Sequence, residues 1–219
     1  MTMPARADDV PATAEQSRTP LLLVGTPTDF TTTIAATLSK AGYAPVPAQL
    51  DDIPASAIAA PPPAILVLPP VLDRVDARIP VEDFIDALDA ILVPAGLMAR
   101  DLVARRGADQ GTRIVVLLDS AVTGPAHNTV AAAAMGGLLG LARSWALEFA
   151  PLLVTVNVVV IGFDPAADPG APRLPHMLPQ PDVKAVAHAV AFFLDPRAAS
   201  ITGQVLSVCG GRLASGLPL

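Results

Sequence analysis

Three runs decide the fold of this chain: Arg113-Ile-Val-Val-Leu-Leu-Asp-Ser120, Ala131-Ala-Ala-Ala-Met-Gly-Gly-Leu-Leu-Gly-Leu-Ala-Arg-Ser-Trp-Ala-Leu-Glu-Phe149, and Val154-Thr-Val-Asn-Val-Val-Val-Ile161. The first and third are short and almost wholly apolar, rich in β-branched residues, the pattern of strands buried on both faces. Between them lies the cleanest helical segment of the sequence, small-residue rich at its start and carrying Leu138, Leu139, Leu141, Trp145, Leu147 and Phe149 further on. Strand, helix, strand of this kind is the unit of a parallel sheet.

The same alternation continues in both directions. Towards the N-terminus, residues 21–24 form an apolar strand that opens into Gly25-Thr26-Pro27-Thr28, and residues 30–41 follow with Phe30, Ile34 and Leu38 on one helical face. Residues 64–68, Ala-Ile-Leu-Val-Leu, are a further buried strand closed by Pro69-Pro70, and residues 81–105 read as a long helix bent near Pro94. Towards the C-terminus a Pro-rich loop, 163–180, precedes a helix over 182–194 with Pro181 at its start, then a last strand over 204–208 before Gly210-Gly211. Residues 42–63 carry the weakest signal: Pro45 and Pro47 argue against a central strand at 43–50, and 53–60 would make at most a short helix. The pattern predicts a three-layer α/β/α sandwich of Rossmann type with a mainly parallel sheet, truncated in the second and third strand region. A single domain over 20–219 is expected, after a flexible lead-in over 1–19.

Composition narrows the functional classes. A net charge of −6 gives no electrostatic attraction to nucleic acid or to an anionic membrane. The longest uncharged stretch, 120–142, contains Pro125, His127, Asn128 and several glycines, and reads as a turn and a small-residue helix rather than a membrane span. Acidic residues stand where an export signal would place its apolar core, and the single Cys209 excludes an internal disulfide, so a cytoplasmic setting is expected. His127, His176 and His188 have no metal-ligand spacing, and no metal is expected. Asp119, Ser120 and His127 are the residue types of a hydrolytic triad, but they share one short segment and lack a nucleophile-elbow signature.

Three segments resemble the short-chain dehydrogenase/reductase (SDR) family: Gly136 to Pro151 with Val156 to Gly162, which is similar to the family's active-site helix and following strand; Pro181-Asp-Val with Ala191 to Gly211, similar to its C-terminal segment; and residues 21–35, similar to its opening strand, turn and helix. The likeness is strong from about Arg113 onward and poor from Gly42 to about Leu92. The chain is shorter than the family's members, mainly before Ala64 and after Gly162.

The resemblance implies hydride transfer with NAD or NADP, assisted by a tyrosine and a lysine four residues later, and by a serine and an asparagine. Carried onto this sequence, the tyrosine position is Ala131 and the lysine position Met135. A count reaches the same result without alignment, because Tyr43 is the one tyrosine, Lys40 and Lys184 are the lysines, and no Tyr-x-x-x-Lys occurs. Ser120 fits the serine position, whereas the asparagine position falls at 88–91, away from Asn128 and Asn157. The family's glycine-rich turn keeps Gly25 but has Asp29 and Thr31 at its next two glycine positions; Asp29 would cap the helix and repel phosphate. The family's Asn-Asn-Ala-Gly segment becomes Leu68-Pro-Pro-Val71, and Asp51 and Asp52 lie near where a ribose-binding acid sits.

These departures lead to the expectation of a catalytically inactive subunit that binds no cofactor of its own and supports an active homologous dehydrogenase or reductase, holding NAD or NADP, in a heterodimer or heterotetramer. A homo-oligomer is the fallback. In the family, helices pair across a dimer axis; here Ala132, Gly136, Leu139, Gly140, Trp145 and Phe149 are the expected contact residues, on a helix whose positions 129–142 carry no charge. Two other readings remain open: an SDR-type oxidoreductase or other enzyme with a relocated active site, and a binding or regulatory module for a non-nucleotide small molecule.

Overall fold

Alternating side chains along the apolar strands leave both faces of a sheet hydrophobic, so both must be covered. The computed structural model describes residues 18–50, 52–54, 56, 64–68, 77–104, 111–162, 178 and 181–213. Along the chain come β1 (Thr19–Val24), α1 (Asp29–Lys40), β2 (Tyr43–Ala48), β3 (Ala64–Val67), α2 (Val81–Ala104), β4 (Thr112–Asp119), α3 (Thr129–Glu148), β5 (Val154–Ile161), α4 (Val183–Leu194) and β6 (Val205–Val208). The six strands pair in parallel in the order β2-β1-β3-β4-β5-β6. This is the predicted Rossmann-type sandwich, and among the described residues it lacks the strand that the usual doubly wound order places beyond β2.

One face of the sheet presents Leu22, Val24, Ile65, Ile114, Val116, Leu118, Val156 and Val158 to Ile91 and Met98 of α2 and to Met135, Leu138 and Trp145 of α3. The other presents Leu21, Leu23, Leu66, Val115, Leu117 and Val159 to Ile34 and Leu38 of α1 and to Val186, Val190 and Phe193 of α4. Burial of each such large side chain contributes about 1.5–3 kcal/mol. By length and apolarity α3 passes for a membrane span, with mean hydropathy 1.4, but it lies against α2, β4 and β5 as one layer of the sandwich.

Residues 43–48 differ from the expectation set by Pro45 and Pro47: they form β2, paired with β1. Two residues apart, both prolines omit an N–H on the same side of the strand, and at an edge that side needs no partner. Pro94 lies inside α2, which runs unbroken from Val81 to Ala104.

Three polar side chains fasten the C-terminal segment to this frame. Arg113, buried in β4, donates from Nε to the Leu194 carbonyl at 2.7 Å and so caps the end of α4 with a cation. Asn157, buried in β5, donates from Nδ2 to the Ile201 carbonyl at 2.8 Å and accepts the Gln204 amide at 3.1 Å. The Thr202 hydroxyl accepts the Val156 amide at 3.1 Å alongside it. β6 is thereby aligned on β5 before its own ladder begins.

Candidate active-site crevice

The chain leaves β1 for β2 on one side, then crosses to β3, β4, β5 and β6 on the other, so the direction of strand order reverses between β1 and β3. The carboxyl ends of strands at such a reversal splay apart, and α/β sheets bind their ligands there. Gly25, directly after β1, lies against Leu68, directly after β3. A Cβ on Gly25 would stand 2.6 Å from the Leu68 carbonyl oxygen and 2.8 Å from its Cβ, so only glycine allows this approach. The Gly25 amide donates to the Ala48 carbonyl at 2.8 Å, and the Leu68 amide to the Val24 carbonyl at 2.7 Å, which fixes the crevice floor.

α1 opens onto this crevice. Thr28 is its N-cap, accepting the Thr31 amide at 3.1 Å, while the Thr31 hydroxyl accepts the Thr28 amide at 2.8 Å. Thr31 thus fills a family glycine position with a reciprocal capping box. The Thr32 amide makes the first turn's bond to the Thr28 carbonyl, which leaves the Asp29 and Phe30 amides as the ones outside that ladder. Asp29 is exposed at the first helical position.

The expectation that this chain binds no cofactor of its own is overturned by this arrangement. A β1–turn–α1 unit at the reversal point of a parallel sheet is the architecture of a nucleotide-binding site, and it is present in this chain. Gly25 supplies the close turn, and the Asp29 and Phe30 amides lie outside the helical ladder. The Asp29 carboxylate stands in the first turn of α1. Replacing it by asparagine is expected to raise dinucleotide affinity by roughly two- to five-fold at low ionic strength, the size of a charge effect at a helix terminus. Calorimetric titration with NADH checks this, and the gain should shrink in high salt.

At the next strand end, β4 closes with Asp119, whose Oδ1 accepts the Ala121 amide at 2.7 Å as the cap of a short 3-10 turn, Ser120–Thr123. Burial pushes this carboxyl up, although the Ala121 amide works the other way. Ser120 is half-buried in the first position of the turn.

Ala131 and Met135, expected at the family's tyrosine and lysine positions, are both buried on the inner side of α3, at 2% and 1% exposure. Asn157 is committed to holding the C-terminal segment, and Asn128 donates to the Ala126 carbonyl beside the exposed His127. No hydrogen bond joins Asp119, Ser120 and His127 among the described residues. Asp52 is exposed just beyond β2, while Asp51, residues 69–71, His176 and most of 163–180 lie outside the described residues. His188 is exposed on α4, Cys209 is buried, and no metal-ligand cluster occurs among the described residues.

The expected contact residues divide into two groups. Gly136 and Gly140 are exposed with open space above them, and Ala132 and Leu139 are half-buried. Trp145 and Phe149 are buried in this chain's own core, their rings stacked 6.3 Å apart, so they are not part of an exposed face. A third helical glycine, Gly137, has an internal reason, since a Cβ there would meet Leu92 of α2 at 3.0 Å. The outer face of α2 exposes Val81, Ile85, Val93 and Leu97.

The family model described as Enoyl-(Acyl carrier protein) reductase matches residues 68–212, the span that carries α2, β4, α3, β5, α4 and β6. The chain belongs to the short-chain dehydrogenase/reductase family. Among its relatives, the (2S)-[(R)-hydroxy(phenyl)methyl]succinyl-CoA dehydrogenase subunit BbsC of Thauera aromatica is 40% identical over 108 residues, covering 47% of this chain and 43% of that protein. The 3-oxoacyl-[acyl-carrier-protein] reductase FabG of Rickettsia bellii is 29% identical over 153 residues, covering 64% of this chain and 63% of that protein. The human 3-oxoacyl-[acyl-carrier-protein] reductase is 33% identical over 146 residues, with 64% and 61% covered. The matches therefore span 43% to 63% of these relatives' lengths. Among solved structures, acetoin dehydrogenase from Enterobacter cloacae superimposes with a TM-score of 0.70 at 18% identity, covering 94% of this SDR chain and 99% of that one, a likeness of fold.

Proposed function

We propose that this SDR-family chain works as a nucleotide-holding subunit of a dehydrogenase or reductase assembly in which a homologous subunit supplies the proton relay. One observation carries the reading: the relay positions hold Ala131 and Met135, both buried, and neither side chain can move a proton or pair with a ribose. Dinucleotide chemistry, when the group is bound, is hydride transfer; this chain's part is to seat it with Gly25 and the Asp29 and Phe30 amides. The exposed apolar positions of α2, together with Gly136, Gly140 and the exposed Leu147, form the face for the partner subunit. A relative named as a dehydrogenase subunit supports a place in a dehydrogenase of more than one subunit. In this reading the assembly is a cytoplasmic one, with residues 20–219 as one domain.

The test is recovery of the affinity-tagged chain from its native cells. A stoichiometric SDR-family partner carrying Tyr-x-x-x-Lys is expected, with reductase activity in the complex. Recovery as a homo-oligomer without such a partner contradicts the subunit reading.

A second reading is favoured by the relatives named as reductases and by Asp119: an oxidoreductase acting alone, with a relocated acid–base group. Turnover by the isolated chain would support it.

A further inference from the structure

Among the described residues β2 is the last strand on its side of the sheet, where the usual doubly wound order continues with one more. It pairs with β1 along its whole length, from Thr19↔Tyr43 to Val24↔Ala48. The Thr19 and Gly25 amides donate to the Gly42 and Ala48 carbonyls at 2.9 and 2.8 Å. In a parallel ladder alternate residues turn both backbone groups to the same neighbour. Ala44, Val46 and Ala48 therefore face β1, and Tyr43, Pro45 and Pro47 face outward. Proline has no N–H, so of these three outward positions only Tyr43 keeps a donor. The rings of Pro45 and Pro47 stand where the carbonyls of a further strand would come.

A free edge of six residues is otherwise a ready template for another strand. The other features of β2 favour such pairing: Tyr-Ala-Pro-Val-Pro-Ala carries no charge, and Val46 is 53% exposed. The prolines interrupt no bond to β1, because their nitrogens point away from it.

We propose that Pro45 and Pro47 close this edge, so that no strand from a second copy of this chain adds to β2. The sheet is then not continued across subunits on this side, and association of the protein runs through other surfaces. The closure depends neither on nucleotide binding nor on the identity of a partner subunit.

The double variant Pro45→Thr, Pro47→Thr restores two outward N–H groups with a strand-favouring residue and adds no larger apolar side chain. Sedimentation velocity over a concentration series compares it with wild type, and far-UV circular dichroism checks that it is folded. The variant is expected to acquire a further association step, with a midpoint concentration at least roughly ten-fold lower than that of any such step in wild type. In the associated form the amides introduced at positions 45 and 47 should exchange slowly with solvent, and on dilution they should exchange freely. Pro47→Thr alone, at an exposed position, should show a weaker form of the same step and carries the test if the double variant does not fold. A folded variant that associates as wild type does, or one that associates with its introduced amides unprotected, would overturn the closure.

Discussion

Replacing Asn157 by alanine is expected to destabilise the fold by about 3 kcal/mol, seen as a lowered urea midpoint with an unchanged slope. The Asn157 side chain is 1% exposed and makes both of its hydrogen bonds to the backbone that leads into β6, one to the Ile201 carbonyl and one from the Gln204 amide. Alanine removes both bonds and leaves a cavity at a site where water has poor access. Most of the effect should lie in the C-terminal segment, so amides of β6 should exchange faster than those of β4. The control is Gln204→Ala, which keeps the backbone amide that Asn157 accepts and should cost little. A loss below about 0.5 kcal/mol for Asn157→Ala, the range of ordinary surface changes, would contradict its role as the clamp.

Gly25→Ala should have the second large effect, and it separates stability from binding. The added Cβ has no free space, because its nearest contacts at 2.6 Å and 2.8 Å are the Leu68 carbonyl oxygen and Cβ, which no rotamer change can withdraw. The ends of β1 and β3 must move apart, and overpacking of this kind costs about 1–3 kcal/mol. The same movement disturbs the crevice floor set by the Gly25–Ala48 and Leu68–Val24 hydrogen bonds. Dinucleotide affinity should therefore fall by more than the roughly two- to five-fold change expected at Asp29. Urea unfolding and calorimetric titration read the two consequences separately. A folded Gly25→Ala chain with wild-type affinity would show that the crevice is not where the nucleotide binds.

The sandwich was legible because its strands are continuous apolar runs and its helices alternate with them; the order of the strands within the sheet was not. β2 was obscured by Pro45 and Pro47, whose cost depends on whether the strand is central or at an edge, and residue types alone do not reveal that. The absence of Tyr-x-x-x-Lys follows from counting residues, whereas the cofactor expectation failed for a physical reason. Loss of glycines at Asp29 and Thr31 suggested a damaged turn. The Thr28–Thr31 pair instead rebuilds the helix start as a capping box, and the spacing Thr-x-x-Thr was a signal for it. Trp145 and Phe149 were assigned to a contact face because large aromatics suit both cores and interfaces. Helical phase turns them toward β4 and β5 and leaves Gly136, Gly140 and Leu147 outside. Asp119 was legible only as a residue type, since its half-burial depends on the packing of the 3-10 turn that follows it.

We propose that this chain keeps a crevice for a nucleotide and has lost the family's proton relay. It is tested most directly by titrating the purified chain with NADH and assaying the same sample for NADH oxidation against a 3-oxoacyl substrate, the class for which its reductase relatives are named. Saturable binding without turnover, with turnover appearing when the homologous partner is added, is the predicted result. Steady turnover by the chain alone would contradict it.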